Sequence, residues 1–159
     1  LHDALPISFR ALLNMGAVPV VNENDSVSFD EIEAGAARVF GDNDALSAIV
    51  ARLVGADLLV LLTDTDGLYD CDPRHNPDAK IVPVVTEITQ EVRDCAGGAG
   101  TARGRGGMQT KIGAAELCMQ AGIETVIASG ERPGNLYDIV NGAGTGTRFI
   151  PKKKMEVRV

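Results

Sequence analysis

Leu58-Leu59-Val60-Leu61-Leu62 is an unbroken apolar run between Asp57 and Thr63-Asp64. A strand with one wet face alternates apolar and polar side chains. An unbroken run needs both faces covered, as in the interior of a parallel sheet with helices on either side. The expectation is a central strand over 58–62. Its surroundings fit. Leu46, Ile49, Val50, Leu53 and Val54 keep to one helical face, Gly55 closes that helix, and Asp42 or Asn43 is placed to cap it. Met108, Ile112, Ala115 and Met119 predict a helix over 108–121, stopped by Gly122. Thr125–Ala128 reads as another strand, 133–140 as a short helix with Leu136, Ile139 and Val140 on one face, and Gly146–Ile150 as a final edge strand. Weaker signals give the last turns of a helix over 9–16 closed by Gly16, a buried parallel strand over Ala17–Val21, a short strand over 81–85 and a weak helix over 87–95. Strands alternating with helices define an α/β sheet with helices on its faces.

The 159 residues suffice for one domain with a real core. A net charge of −7 argues against a general nucleic-acid binder, which needs a broad basic face. Any anionic ligand must then be held by local groups. Lys152-Lys153-Lys154 and Arg158 read as a solvated basic tail. Cys71, Cys95 and Cys118 form no Cys-x-x-Cys pair, which suggests reduced thiols in a cytoplasmic protein. His2 and His75 make no metal-ligand cluster. No apolar run approaches the length of a membrane span, so no membrane partner is expected.

Polar clusters follow the apolar runs. Asn22-Glu23-Asn24-Asp25 comes after 17–21, Gly41-Asp42-Asn43-Asp44 opens the helix of 46–54, and Thr63-Asp64 ends the central run. In open α/β sheets ligands sit just beyond the carboxyl ends of strands. Each cluster alone also reads as an ordinary turn or cap. Gly104-Arg105-Gly106-Gly107 is expected to be a loop that opens the helix of 108–121. Free backbone N–H groups at such a junction, the helix dipole and Lys111 one turn in would attract an anion. The spacing is not that of the common P-loop. The same stretch fits a flexible surface loop with a solvated lysine, and 97–107 holds six glycines in eleven residues.

Taken together, Asn22-Glu23-Asn24-Asp25, Gly41-Asp42-Asn43-Asp44, Leu61-Leu62-Thr63-Asp64 with Asp66-Gly67-Leu68-Tyr69, and Asp72-Pro73-Arg74 resemble the amino acid kinase superfamily. Gly106-Gly107-Met108 with Thr110-Lys111 narrows the likeness to its glutamate 5-kinases, over about residues 9–150. The resemblance implies a three-layer αβα sandwich with a mainly parallel sheet, here without its N-terminal part. It implies transfer of a phosphoryl group from ATP, with Mg²⁺, to the side-chain carboxylate of L-glutamate. It further implies a cytoplasmic enzyme, homo-oligomeric at full length. Carried over by position, Asp25 and Asn43 would hold glutamate, supported by Asn22 and Asp44. Thr63, Asp64 and the segment Arg105, Gly106, Gly107, Met108, Gln109, Thr110 and Lys111 would border the nucleotide. Lys111 would touch the phosphoryl group in flight; Asp44, the second catalytic residue, would with Asp42 hold glutamate's ammonium group or orient Lys111 and neighbouring amides. No residue is assigned as a metal ligand.

Two departures from the family pattern stand out. Arg105 occupies a position where the family has Thr, and nothing in residues 1–16 matches the family's Lys-x-Gly-Ser loop. The expectation is a natural start well upstream, with 1–8 foreign, 9–151 the C-terminal portion of a kinase domain and 152–159 a tail. The isolated fragment would then be inactive. The alternatives are a kinase of acetylglutamate, aspartate, carbamate or UMP, the kinase half of a bifunctional pyrroline-carboxylate synthase, and a non-catalytic nucleotide-binding fragment. The paired Asn-Glu-Asn-Asp and Gly-Asp-Asn-Asp clusters favour glutamate.

Overall fold

The computed structural model describes residues 4–22, 42–97 and 105–152, without the side chains of 4–6, 42, 97, 105 and 106. Its strands are β1 (Leu58–Thr63), β2 (Val84–Val85), β3 (Glu124–Ser129) and β4 (Thr147–Phe149), and its helices α1 (Ala4–Asn14), α2 (Asp42–Val54), α3 (Gln90–Gly97), α4 (Arg105–Gln120) and α5 (Asn135–Val140). The sheet order is β1-β3-β4-β2. β1 and β3 are parallel, with Leu58 opposite Glu124 and Thr63 opposite Ser129. β4 runs antiparallel to β3 and parallel to β2. The result is a mixed open α/β sheet.

Strand alternation sorts the core into two layers. Leu59, Leu61 and Ile127 point to one face, where they pack with Ala48 and Ala51 of α2 and Ile112, Ala115 and Cys118 of α4. Leu58, Val60, Val126 and Ala128 point to the other, where Ile139 of α5 is buried. Helices therefore cover both faces, as the unbroken apolar run required. Gly16, Gly55 and Gly122 take φ of +73°, +66° and +79° and close their helices, a conformation glycine adopts without steric cost.

Several expectations are corrected. β1 pairs only with β3 among the described residues, so the 58–62 run is an edge strand and β3 is interior. Apolar character reports that a strand's faces are covered and says nothing of its edges. Residues 147–149 form an interior strand, between β3 and β2, not a final edge. Residues 17–22 are not a strand: no described strand pairs with them, and Val18 and Val20 are 86% and 94% exposed. A strand needs a neighbour for its backbone groups, and Pro19 also removes one donor. α4 begins at Arg105, so Gly106 and Gly107 lie in its first turn and not in a preceding loop. A helix's first-turn N–H groups have no intrahelical acceptor, so a glycine there sacrifices little. Asp42, Asn43 and Asp44 are likewise first-turn residues of α2, not caps outside it. Of the expected α5 face, Ile139 is buried while Leu136 and Val140 are exposed.

The loop leaving β1 is tied to β4. The buried Thr147 hydroxyl accepts a hydrogen bond from the Leu68 N–H at 2.8 Å. Gly67 permits this approach, because a Cβ there would lie 2.8 Å from Thr147 Oγ1. Thr147→Val keeps the shape but removes the acceptor. Leaving a buried N–H unsatisfied costs ~1–3 kcal/mol. Urea denaturation should show that loss, and an unchanged midpoint would mean Leu68 has found another partner.

Candidate active site

α2 leads into β1 and α4 leads into β3, and the two strands are parallel. This connectivity brings the N-termini of both helices to the carboxyl ends of both strands. The Gly130 N–H, just past β3, donates to the Thr63 carbonyl at 2.8 Å and ties the two strand ends together. Asp44, in the first turn of α2, faces α4. Lys111 Nζ lies 3.3 Å from each of its carboxylate oxygens. The Thr110 hydroxyl lies 2.5 Å from Asp44 Oδ2. The Lys111 and Asp44 side chains keep only 15% and 16% of their exposure, so the pair is largely withdrawn from water.

Beside this trio opens a cavity of about 350 Å³. Thr63 and Asp64 at the end of β1, Gly107 and Met108 in the first turn of α4, and Cys95 and Ala96 of α3 line it. The remaining wall is a strap over 67–82 that supplies Leu68, Tyr69, Cys71, Pro73 and Arg74. Its two arms are held by Asp70 N–H to the Lys80 carbonyl at 2.9 Å and Val82 N–H to the Leu68 carbonyl at 2.8 Å. At its tip the Asp72 carboxylate accepts from the Arg74 backbone N–H at 2.9 Å, from Arg74 Nε at 3.1 Å and from Arg74 Nη2 at 3.0 Å. These bonds to Arg74, with a contribution from His75, hold the Asp72 carboxyl well below the usual carboxylate range. Both thiols are pushed up, Cys71 chiefly by its hydrogen bond to Asp70 and Cys95 chiefly by burial. They stay protonated at neutral pH, which suits a cavity that binds rather than one that attacks.

The structure brings two groups of sequence-predicted residues together. Thr63, Asp64, Gly107 and Met108 share the cavity. Asp44, Thr110 and Lys111 share one hydrogen-bonded cluster. Others stand apart: Gln109 and Asn43 are exposed, and Asn22 is exposed on a segment without regular structure. Asp25, and the side chains of Arg105 and Asp42, lie outside the described residues. Site selection from sequence passed over the strap, although Asp66-Gly67-Leu68-Tyr69 and Asp72-Pro73-Arg74 were visible as motifs. It also passed over Cys95 and Ala96, which carry no sequence signal of a ligand wall.

A mixed α/β sheet with two helix N-termini, a cation and a cavity gathered at its strand ends has the layout of a protein that binds its ligand beyond the carboxyl ends of the strands. The amino acid kinase family model matches residues 8–129, and the chain belongs to that family. It is 53% identical over 146 residues to the glutamate 5-kinase of Clostridium perfringens, covering 92% of this chain and 54% of that one. It is 56% identical over 149 residues to the glutamate 5-kinase of Carboxydothermus hydrogenoformans, covering 94% of this chain and 38% of that one. The chain thus spans about half the length, or less, of these relatives. In fold it is similar to UMP kinase from Bacillus anthracis, with a TM-score of 0.65 at 16% identity over 92% of this chain and 51% of that one. It is also similar to an isopentenyl phosphate kinase, with a TM-score of 0.60 at 25% identity, over 89% of this chain and 49% of that one.

The Asp72 clamp gives the strap a pH signature. Its folded carboxyl titrates well below the ordinary 3.8, so the clamp is fully present above that pH and is lost only as the pH falls through the lower folded value. Amide exchange at the Arg74 N–H, followed downward from about pH 6, should keep its protection through the ordinary carboxyl range and lose it only in stronger acid. Asp72→Asn should show reduced protection already at the upper end, with a flatter profile. Equal profiles for the two proteins would mean the clamp does not hold the strap.

Proposed function

We propose that this chain carries the phosphoryl-transfer side of a glutamate 5-kinase. The reaction moves the γ-phosphoryl group of ATP to the side-chain carboxylate of L-glutamate, giving L-glutamyl 5-phosphate and ADP. It is the first step of proline biosynthesis, carried out in the cytoplasm by an enzyme that works as a homo-oligomer. One observation carries the proposal: a lysine fixed by a carboxylate, in the second turn of a helix whose first turn lines a cavity at the strand ends. The glutamate 5-kinase relatives at half identity over nearly the whole chain support glutamate as the acceptor. The likeness to UMP kinase, at 16% identity, is one of fold and gives no ground for a nucleotide acceptor.

A carboxylate approaching ATP meets like charge, and its attack needs no general base because it is already ionised at neutral pH. The protein's work is therefore positioning and charge compensation. Lys111 supplies a full positive charge, and the free N–H groups of the α4 first turn supply partial ones. Asp44 aims Lys111. Thr63, Asp64, the 105–109 segment and Lys111 border the nucleotide, and Asp25 and Asn43, supported by Asn22, hold glutamate. Among the described residues no three His, Cys, Asp or Glu side chains form a metal cage. Mg²⁺ would enter as part of the ATP complex, carried chiefly by the phosphates and water.

The test is a chimera in which this chain replaces the matching 146 residues of the C. perfringens relative. It should release ADP in a glutamate-dependent manner. Lys111→Ala should lower kcat by ~10²–10³, the scale of losing one electrostatic stabiliser. Asp25→Ala and Asn43→Ala should raise the KM for glutamate far more than that for ATP, by a loss of ~1–3 kcal/mol each. A chimera active on another acceptor but not on glutamate would overturn the assignment. Normal turnover in Lys111→Ala would return that lysine to an ordinary surface role.

A further inference from the structure

We propose that Thr110 is a positioning residue, not a nucleotide ligand: its hydroxyl fixes the rotamer of Asp44 and thereby the place of Lys111. This rests on the kinase assignment above and concerns the same site. A threonine hydroxyl has one proton to donate. Thr110 Oγ1 lies 2.5 Å from Asp44 Oδ2 and 2.9 Å from the Gly107 carbonyl oxygen, and both of these atoms only accept. The proton is thus taken by the carboxylate, the shorter and charge-assisted contact, with the carbonyl as the alternative. Phosphate oxygens at neutral pH also only accept. An engaged hydroxyl can offer them nothing without breaking the bond to Asp44.

The consequence falls on Asp44. A carboxylate bound to one flexible ammonium could swing about its side-chain torsions. Bound also to Thr110, which follows directly from the α4 backbone, it has two fixed directions. Lys111 is the next residue on that helix and contacts the same carboxylate with Nζ. The trio is therefore closed: Thr110 sets Asp44, and Asp44 sets the ammonium of Lys111. Thr110 needs no contact with either substrate to affect the transfer.

Two measurements decide this. The first is competitive acetylation of the 159-residue chain with acetic anhydride, read as modification at Lys111 relative to Lys80 and Lys152 by mass spectrometry. Thr110→Val and Thr110→Ala should each raise Lys111 labelling several-fold, while Thr110→Ser should return it toward the wild-type value. Unchanged labelling in both, or a serine variant as loose as the valine one, would overturn the proposal. The second is kinetic, in the chimera described above. Thr110→Val should lower kcat by about 10²-fold, the scale of a small misplacement of a catalytic group. Its KM for ATP should stay near the wild-type value. A raised KM for ATP with unchanged kcat would make Thr110 a nucleotide contact and overturn the proposal. If the wild-type chimera shows no glutamate-dependent turnover, the glutamate assignment fails by itself, and the labelling still decides the role of Thr110.

Discussion

Asp44 stands in the first turn of α2 and accepts from Thr110 and Lys111 in the second turn of α4. Its own position is favourable, because a helix N-terminus attracts negative charge. Lys111, in the second turn of its own helix, gains nothing from that helix's dipole. Asp44 supplies the negative charge from outside the helix. A bound phosphate would do the same from the other side. The lysine is therefore held in place by one anion while a second could approach it from the other side. The contact ties the N-terminal ends of α2 and α4 together beside the strand ends.

Withdrawing an ion pair from water is not in itself a way to gain stability, since desolvation consumes much of the Coulomb attraction. The pair here is better understood as a device of position. Asp44 has a short side chain, so α2 and α4 must approach closely for it to reach across. The buried residues on the facing helices are small enough to allow this: Ala48 and Ala51 on α2, Ala114 and Ala115 on α4. The packing that closes one layer of the core also sets the length over which the carboxylate works.

The sequence made the element types legible where the signal was periodic. The face of α2, the run of β1, the helix before Gly122 and the β3 strand all stand where spacing placed them. It could not rank strands within the sheet, because Leu58–Leu62 looks the same whether its edges are paired or free. The same limit explains 17–21, whose β-branched residues report a preference for a covered face and not the presence of a neighbour. In the site, Lys111 and Asp44 were legible as chemistry. Their contact could be expected only from the family resemblance, since 67 residues separate them. The clamp at Asp72 is local, within two or three residues, and Asp72-Pro73-Arg74 announces it as a turn. What the sequence concealed is that this turn lines the same cavity as the first turn of α4.

That placement follows from topology. β1 ends at one edge of the described sheet and β2 lies at the opposite edge. The chain between Thr63 and Val84 must therefore cross the width of the sheet, about three strand spacings of ~4.8 Å. It sets out from the carboxyl end of β1, so it crosses on the side where α2 and α4 begin. Leu68 reaches Thr147 at the start of β4, and Thr147 lies opposite Ile127, near the carboxyl end of β3. The strap thus walls the cavity because it crosses at the end of the sheet where the cavity lies. The hydroxyl that fastens it belongs to the antiparallel strand, so the one departure from parallel order in this sheet is what anchors the far wall of the site.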